Sequence, residues 1–464
     1  MIALYESVES LDKRAVERFA MSEELLMEHA ALAMAREIFK RFDRGEVLIV
    51  CGAGNNGADG LALARLLSAR EGFAPKVYLP FGTKCELGEK QLRRVKALGI
   101  AQVEAIEPSD ILIDALFGGG LNRELGESAA EIVKALDDTR AFKIACDIPS
   151  GVSGDGSFDV CAKMDLTVTM GAPKLALFSD KVKDRVGEIV VADLGIPRDA
   201  YALSADAFLL EESDLNLPFR HTQDSHKGTY GHLAVVMGDK AGAAALCATA
   251  ALRFGAGLTT IISKERHIYI PFDLMQAQKP AETTNAIAFG MGLGEAYLDE
   301  ELLDIIGDLP AAIDADALSR PFIRDLLEQN RPVVLTPHPK EFASLLDRCG
   351  LGVYKTADIQ EKRMALSLAF GKAFPNAILV LKGANTIITS GARRFINPLG
   401  SSALAKGGSG DALTGMIGAL LAQGYSPLDS AICASLAHAL AAKRFKGANF
   451  AMTPSDLIES LKTL

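Results

Sequence analysis

In the first forty residues the apolar positions recur at helical spacing. The segments SVESLDKRAVERF and LLMEHAALAMAREIF therefore predict two amphipathic helices between about 7 and 40, with Ser7 and Ser22 as candidate caps. Beyond them the pattern changes to short runs that are apolar at nearly every position, VLIVC, KVYLP, ILIDALF, FKIACDIP, LTVTMG and GEIVVADLG, alternating with helical stretches. Continuous apolar strands between helices predict a parallel sheet covered on both faces. A polar tract, EESDLNLPFRHTQDSHKGTYG, interrupts this pattern around 205–228. A second series follows it: HLAVVMG, LTTIIS, AIAFGMGLG, AAIDAD, PVVLTPHP and AILVLKG, then NTIITSGARRFINP as an antiparallel pair, and two long apolar helices over 411–423 and 427–445. The expected organisation is an α/β domain over 1–205, a connection over 206–225 and a second α/β domain over 226–464.

A length of 464 residues with 49% hydrophobic and 6% aromatic content suits two ordinary globular domains. The net charge of -10 leaves no basic excess for a phosphate backbone or an anionic bilayer, so neither nucleic acid nor membrane is expected as a partner. The opening MIALYESVESLDKRAVERFA lacks the basic and unbroken apolar regions of a signal peptide, and a soluble cytoplasmic protein is expected. Seven scattered cysteines, none in CxxC spacing, suit reduced core thiols better than disulfides or zinc.

The stretch EVLIVCGAGNNGADGLALARLL places Gly52, Gly54 and Gly57 as GxGxxG between a strand and a helix. A redox dinucleotide fold also needs an acidic residue closing the second strand, to hold the ribose. That strand reads KVYLPFGTK, with Pro80 and no carboxylate at its end, and no GK[ST] follows the glycines to make a P-loop. Polar residues nevertheless gather after each strand: Asn55, Asn56 and Asp59 after the first, Asp114 and FGGGLNRE at the third, Asp147 and Ser150 in CDIPSG after the fourth. Such residues offer oxygen ligands for a cation and a carboxylate for proton transfer. Plainer roles stand beside these: the glycines as a tight turn, Asn55-Asn56 as a turn pair, Asp59 as first-turn helix charge and Asp114 as an ion-pair partner. Asp147 resists such a reading, because Pro149 fixes the turn that presents it.

Together GNNGADGL, DALFGGG, DIPSGV and TVTMGAPKLAL resemble the amino-terminal domain of NAD(P)HX epimerase, a Rossmann-like αβα sandwich, over roughly the first 200 residues. The resemblance implies that Asn55, Asn56, Gly57, Ala58 and Asp59, with Gly118, Gly119, Gly120, Leu121, Asn122, Arg123 and Glu124, bind a hydrated nicotinamide dinucleotide. It also implies a potassium ion on Asn56, Asp114 and Ser150, with Asp147 beside the nicotinamide ring as acid/base. Ala58 replaces a glycine usual in that motif.

Near the carboxyl end, KGGSGDALTGMIGALLAQG sets Gly407, Gly408 and Gly410 at the start of an apolar helix, where unpaired N–H groups and the helix dipole favour phosphate. Asp411 there is either a cap or a base beside that phosphate. His338, Lys382, Asp314 and Asp316 follow other strands, and taken singly each also reads as an ordinary loop or strand-end residue. With GMGLG, GAAALCATAALRFGAGLTT and NPLGSSALAKGGSGD they resemble the ADP/ATP-dependent NAD(P)HX dehydratase, a ribokinase-like αβα domain, over 226–464. That resemblance implies contacts of Ala243, Gly292, Gly294, His338 and Asp411 with the hydrated nucleotide. Lys382, Gly383, Ala384, Asn385, Thr386 and Gly410 would hold ADP or ATP with Mg2+, and Met291 stands where proline is common. The two halves then resemble consecutive enzymes of one repair route, with NADHX and NADPHX as substrates rather than redox cofactors. The competing reading is a ribokinase-like small-molecule or vitamin kinase fused to a binding module. The long apolar terminal helices leave room for a subunit contact, and a homo-oligomer is expected.

Overall fold

The computed structural model describes residues 1–120, 124–268, 270–329 and 331–464. Leu121, Asn122 and Arg123 of the sequence reading lie outside them. The chain divides into two compact units, Ala3–Ala207 and Phe208–Leu464, the second also taking in Met1 and Ile2. Of the expected connection, residues 208–225 belong to the second unit, where Leu215 and Leu217 pack against its core.

In the first unit the strands are β1 (Gly45–Cys51), β2 (Phe73–Tyr78), β3 (Ala101–Val103), β4 (Ile111–Ala115), β5 (Phe142–Cys146), β6 (Leu166–Met170) and β7 (Glu188–Ala192). They form one parallel sheet in the order β3-β2-β1-β4-β5-β6-β7. The helices used below are α1 (Glu9–Phe19), α2 (Glu23–Arg41), α3 (Asn55–Ser68), α4 (Glu86–Ala97) and α5 (Glu127–Asp138). Along β1, Val47, Ile49 and Cys51 join one core with Met34, Ile38 and Leu61, while Leu48 and Val50 join another with Val133 and Leu136. That two-sided burial is why the strand is apolar at successive positions. Ser22 caps α2 by accepting from Leu25 N. The cap of α1 is Val8, not Ser7, although the Ser7 hydroxyl accepts from Glu9 N at 3.2 Å. β3 was absent from the strand pattern because its residues are exposed or half-buried and carry no apolar run.

The direction in which successive strands are added to the sheet reverses between β1 and β4, the switch point of a doubly wound fold, and ligands bind outside the strand ends there. The backbone is crowded at that point. A Cβ on Gly52 would lie 1.8 Å from the Leu116 carbonyl oxygen, and one on Gly57 1.8 Å from that of Gly52. Gly54 has nothing within 4 Å of its Cβ position.

The second unit contains β8 (His232–Val236), β9 (Leu258–Ile262), β10 (Met275–Ala277), β11 (Ala286–Phe289), β12 (Ala311–Ile313), β13 (Val333–Leu335), β14 (Ala377–Leu381), β15 (Thr386–Ser390) and β16 (Arg393–Asn397). Its sheet includes the run β16-β15-β14-β13-β12-β11-β8-β9-β10, parallel except for the β14–β15–β16 meander, and beyond β16 Phe208 and Leu209 pair in parallel with Phe395 and Ile396. β10, three exposed or half-buried residues, is another strand the pattern missed, as are Ile2–Leu4 and Ala207–Leu209. Helices α6 (Ala241–Arg253), α7 (Pro339–Arg348), α8 (Arg363–Ala373), α9 (Ser409–Ala422) and α10 (Pro427–Arg444) cover it. Residues 412–422 of α9 and 430–442 of α10 are all buried within this unit, so the apolar length that suggested a subunit contact is consumed by internal packing. All seven cysteines are free, and six of them are buried. No helix among the described residues is long and apolar enough to cross a membrane.

Gly52→Ala is expected to destabilise the first unit by about 2 kcal/mol, the scale of an overpacked site. Gly54→Ala should stay within about 0.5 kcal/mol of wild type. Thermal and denaturant unfolding of the full chain checks the contrast, and equal effects would refute the steric account.

Candidate functional sites

At the switch point, Gly54 caps α3 and Asn55 and Asn56 open it. Asn55 is exposed, and Asn56 and Asp59 are half-buried. Gly57 and Ala58 turn inward. The Ala58 methyl, 1% exposed, packs into the core, so the core absorbs the carbon that replaces the resemblance's glycine. Cβ positions on Gly118 and Gly119 would each lie 3.3 Å from Asp147 Oδ2, and that of Gly118 3.2 Å from Asn56 Oδ1. The glycine loop therefore runs directly over both side chains. Gly120 and Glu124 are exposed beyond them.

Asp147 follows β5 with φ at 75°, a left-handed conformation that Asp tolerates better than most residues. Its Oδ2 accepts from Gly119 N at 3.0 Å, and its Oδ1 accepts from Met170 N at 3.1 Å and from Lys174 Nζ at 2.5 Å. Lys174 also donates to Thr169 Oγ1 at 3.2 Å and to the Met170 carbonyl at 3.1 Å. Burial works against the Asp147 charge, but Lys174 and the backbone donors outweigh it and hold the carboxyl below its ordinary range. Asp59 goes the other way: burial, with Asp147 and Asp12 nearby, pushes it well above its usual value. Asp12 in turn accepts from the Tyr201 hydroxyl at 2.6 Å.

Asp114, at the end of β4, is 1% exposed and accepts from Ser150 N at 2.8 Å, Ser150 Oγ at 2.6 Å and Leu116 N at 3.2 Å. Ser150 Oγ accepts from Phe117 N at 2.9 Å. No basic side chain pairs with Asp114 among the described residues, so the plain ion-pair role falls away. Burial raises its carboxyl against those hydrogen bonds.

In the second unit Gly408, with φ at 92°, caps α9, and Asp411 lies in the first turn. Asp411 is therefore not the cap, and no hydrogen bond reaches its carboxylate among the described residues. Burial first, then Asp314, raises it to about 6, with Lys382 opposing. Asp314, at the end of β12, is 2% exposed. It accepts from Lys382 Nζ at 2.8 Å and from Thr414 Oγ1 at 3.0 Å. Lys382 Nζ also lies 3.7 Å from Glu341 Oε2. A Cβ on Gly410 would lie 3.1 Å from that ammonium nitrogen.

His338 caps α7, its Nδ1 accepting from Lys340 N and Glu341 N at 3.2 Å, while its Nε2 lies 3.0 Å from Glu341 Oε1. It reaches the cluster through Glu341. Burial opposes the Glu341 charge, yet His338 and Lys382 keep that carboxyl below its ordinary value. Residues 382–385 form the turn between β14 and β15, and Thr386 starts β15. Under the turn Arg363 Nη2 donates to the Leu381, Lys382 and Asn385 carbonyls at 3.1, 3.1 and 3.2 Å. Gly383 and Ala384 are exposed and Asn385 is buried. Gly292, φ 59°, brings its Cβ position within 3.2 Å of Ala243 Cβ at the start of α6. Gly294 N donates to Asp316 Oδ2 at 3.0 Å.

The sequence reading missed Lys174, Glu341, Thr414 and Arg363 as members of these sites. Lys174 stood in the quoted TVTMGAPKLAL, but a lone lysine reads as surface until its burial is known. Glu341 reads as the acid of a capping box three residues after His338, and it is that as well.

A doubly wound nucleotide fold followed by an α/β unit with a glycine-loop helix and an uncapped acid defines a two-domain enzyme of nucleotide chemistry. Residues 23–176 match the family model described as YjeF-related protein N-terminus, and residues 233–463 the one described as NAD(P)H-hydrate dehydratase. The chain is 41% identical over 478 residues to a bifunctional NAD(P)H-hydrate repair enzyme of Helicobacter pylori, covering 100% of each chain. It is 32% identical over 502 residues to one of Coxiella burnetii, covering 100% of this chain and 99% of that one. An ADP/ATP-dependent NAD(P)H-hydrate dehydratase of Bacillus subtilis, solved after co-crystallisation with ATP and Mg2+, is 28% identical with a TM-score of 0.48, over 56% of this chain and 98% of that chain. The chain belongs to the bifunctional NAD(P)H-hydrate repair enzyme family.

Removing one partner of the buried Asp147–Lys174 pair leaves an uncompensated charge. Asp147→Ala is therefore expected to destabilise the first unit by about 3 kcal/mol, and Asp147→Ala/Lys174→Met to recover most of that. Denaturant midpoints of the single and double variants check it; equal midpoints for the two would refute the pairing.

Proposed function

We propose that this chain repairs hydrated NADH and NADPH, interconverting the R and S epimers in its first unit and dehydrating the S form in its second at the expense of ADP or ATP. The observation that carries the reading is Asp411: a carboxylate at the start of a glycine-loop helix, free of any capping role and close to Lys382. It takes the proton of the substrate hydroxyl as that oxygen attacks the terminal phosphoryl of the nucleotide. The new P–O bond forms as the phosphoanhydride bond breaks, releasing AMP from ADP. Loss of phosphate from that carbon, with a proton from its neighbour, then restores the reduced ring. The α9 N–H groups and Lys382 stabilise charge on the transferred group. Bound Mg2+ would offset further charge on the phosphates. In this reading the Lys382–Thr386 turn and Gly410 hold the adenine nucleotide, and Ala243, Gly292, Gly294 and His338 contact the hydrate.

In the first unit Asp147 serves as acid/base beside the nicotinamide ring, under the glycine loop that covers it. The residues present fit a potassium ion. Asp114 is a buried carboxylate without a basic partner among the described residues, and with the neutral oxygens of Ser150, bonded to it, and Asn56 it would make up a singly charged oxygen set suited to a monovalent cation. The ion would neutralise Asp114 and steady the loop above it.

Absorbance of reduced nicotinamide is followed after adding the protein to an NADHX epimer mixture with ADP, ATP or neither, Mg2+ and K+ present. Nucleotide-dependent recovery beyond the share of one epimer, faster than spontaneous epimerisation, is expected. Net formation of a stable phosphorylated product would favour a kinase instead. Asp411→Asn should abolish dehydration, and Asp147→Asn should cap recovery at the S share.

Because the base must be ionised, kcat/KM for dehydration should fall as pH drops below about 6. The same raised value makes the Asp411 contribution to stability present at acid pH and lost as pH rises through about 6. A pH–rate profile without that acid limb would refute the role.

A further inference from the structure

We propose that Asp314 is a positioning residue of the phosphoryl-transfer site, its buried carboxylate latching the Lys382 ammonium to α9 beside Asp411. The proposal rests on the dehydratase reading above. Asp314 divides its two oxygens between two elements: Oδ1 accepts from Lys382 Nζ at 2.8 Å at the end of β14, and Oδ2 accepts from Thr414 Oγ1 at 3.0 Å on α9. The geometry leaves little slack. The Gly410 Cβ position lies 3.1 Å from Lys382 Nζ and 3.5 Å from Asp314 Oδ2, so the ammonium sits against the turn that would receive a phosphate. Thr414 is held in turn by the Gly410 carbonyl at 3.1 Å and by Thr336 Oγ1 at 3.1 Å. Asp314 itself is fixed by its backbone N–H on the Phe289 carbonyl at 3.1 Å. Without this latch, Lys382 keeps Glu341 as a partner, 3.7 Å away on α7 and on the side that caps against His338.

Two consequences follow for the chemistry. A lysine is a flexible point charge, and a fixed carboxylate that also grips the helix converts it into a preorganised one. The negative charge also bears on the base. Around Asp411, the charged groups are Asp314, Lys382 and Glu341. The Cys247 thiol of α6 is pushed well above its ordinary value by burial, and His438 of α10 is pushed down to about 4, so both are neutral near pH 7. His338 faces Glu341. Asp314 therefore works with burial to keep Asp411 a competent proton acceptor rather than a weakly basic, fully exposed carboxylate.

The test uses the full-length protein turning over S-NADHX with ADP and Mg2+. Asp314→Asn keeps the shape and removes the charge. We expect kcat to fall at least about tenfold with little change in KM for ADP. The acid limb of kcat/KM should move to lower pH by about one unit, because a like charge near the base is gone. In a cycle with Lys382→Met, the double variant should lose no more than Lys382→Met alone, since both act as one unit. Additive losses, or an unchanged kcat and acid limb, would overturn the proposal. Should Asp314→Asn fail to fold, Thr414→Val severs only the α9 arm and is expected to lower kcat severalfold; an unchanged kcat there overturns the latch. Titration of the Asp411 carboxyl by 13C NMR needs no turnover. An inactive wild type with a shifted titration in Asp314→Asn would sink the dehydratase reading and keep the latch, whereas an active wild type with an unshifted titration would do the reverse.

Discussion

Burial of both faces of a parallel sheet is the constraint on which the rest of this molecule depends. Strands such as Val47–Cys51 and Ala377–Leu381 have almost no position left for a polar side chain, so chemistry is confined to the residues just past their carboxyl ends. Those ends also meet the starts of helices, where backbone N–H groups are unpaired. The price of that crowding is paid in glycine. At Gly52 and Gly57 the backbones of β1, α3 and the segment after β4 come too close for any side chain.

The two units hold their proposed acid/base carboxylates in opposite ways. Asp147 is kept ionised in a buried place by a lysine that is itself 3% exposed, with backbone donors completing the shell. Such a group starts out ionised at neutral pH, as a proton acceptor must. Asp411 has no such partner in contact and lies near two other carboxylates, so it sits close to the pH at which a base both exists in ionised form and accepts a proton readily. Asp114 is a third case, buried and hydrogen-bonded but without a cation from the chain's own described residues.

Much of this was legible before any coordinates. The order of strands and helices, the antiparallel pair at 385–398 and the two long terminal helices follow from apolar periodicity, because burial on one or two faces imposes a period on the sequence. Short, partly exposed strands such as Ala101–Val103 and Met275–Ala277 carry no such imprint. Of the site residues, those in glycine-rich or proline-bounded loops stood out, because their backbone demands restrict residue choice. Lys174, Glu341, Thr414 and Arg363 did not, since each looks like an ordinary helix or surface residue until its burial and partners are known.

The sequence by itself therefore determined the fold class and the loops where chemistry collects, both written in local spacing, and its motifs carried the resemblance to the family. Tertiary structure alone decided which charges meet. It brought Lys174 to Asp147 and residues 314, 382 and 414 to one point, and it turned Ala58 inward and buried the terminal helices within their own unit. Residues as far apart as Asp314 and Thr414 become neighbours only when the sheet brings strand ends together, and whether a carboxylate is a surface charge, a tuned base or a latch is set by that neighbourhood.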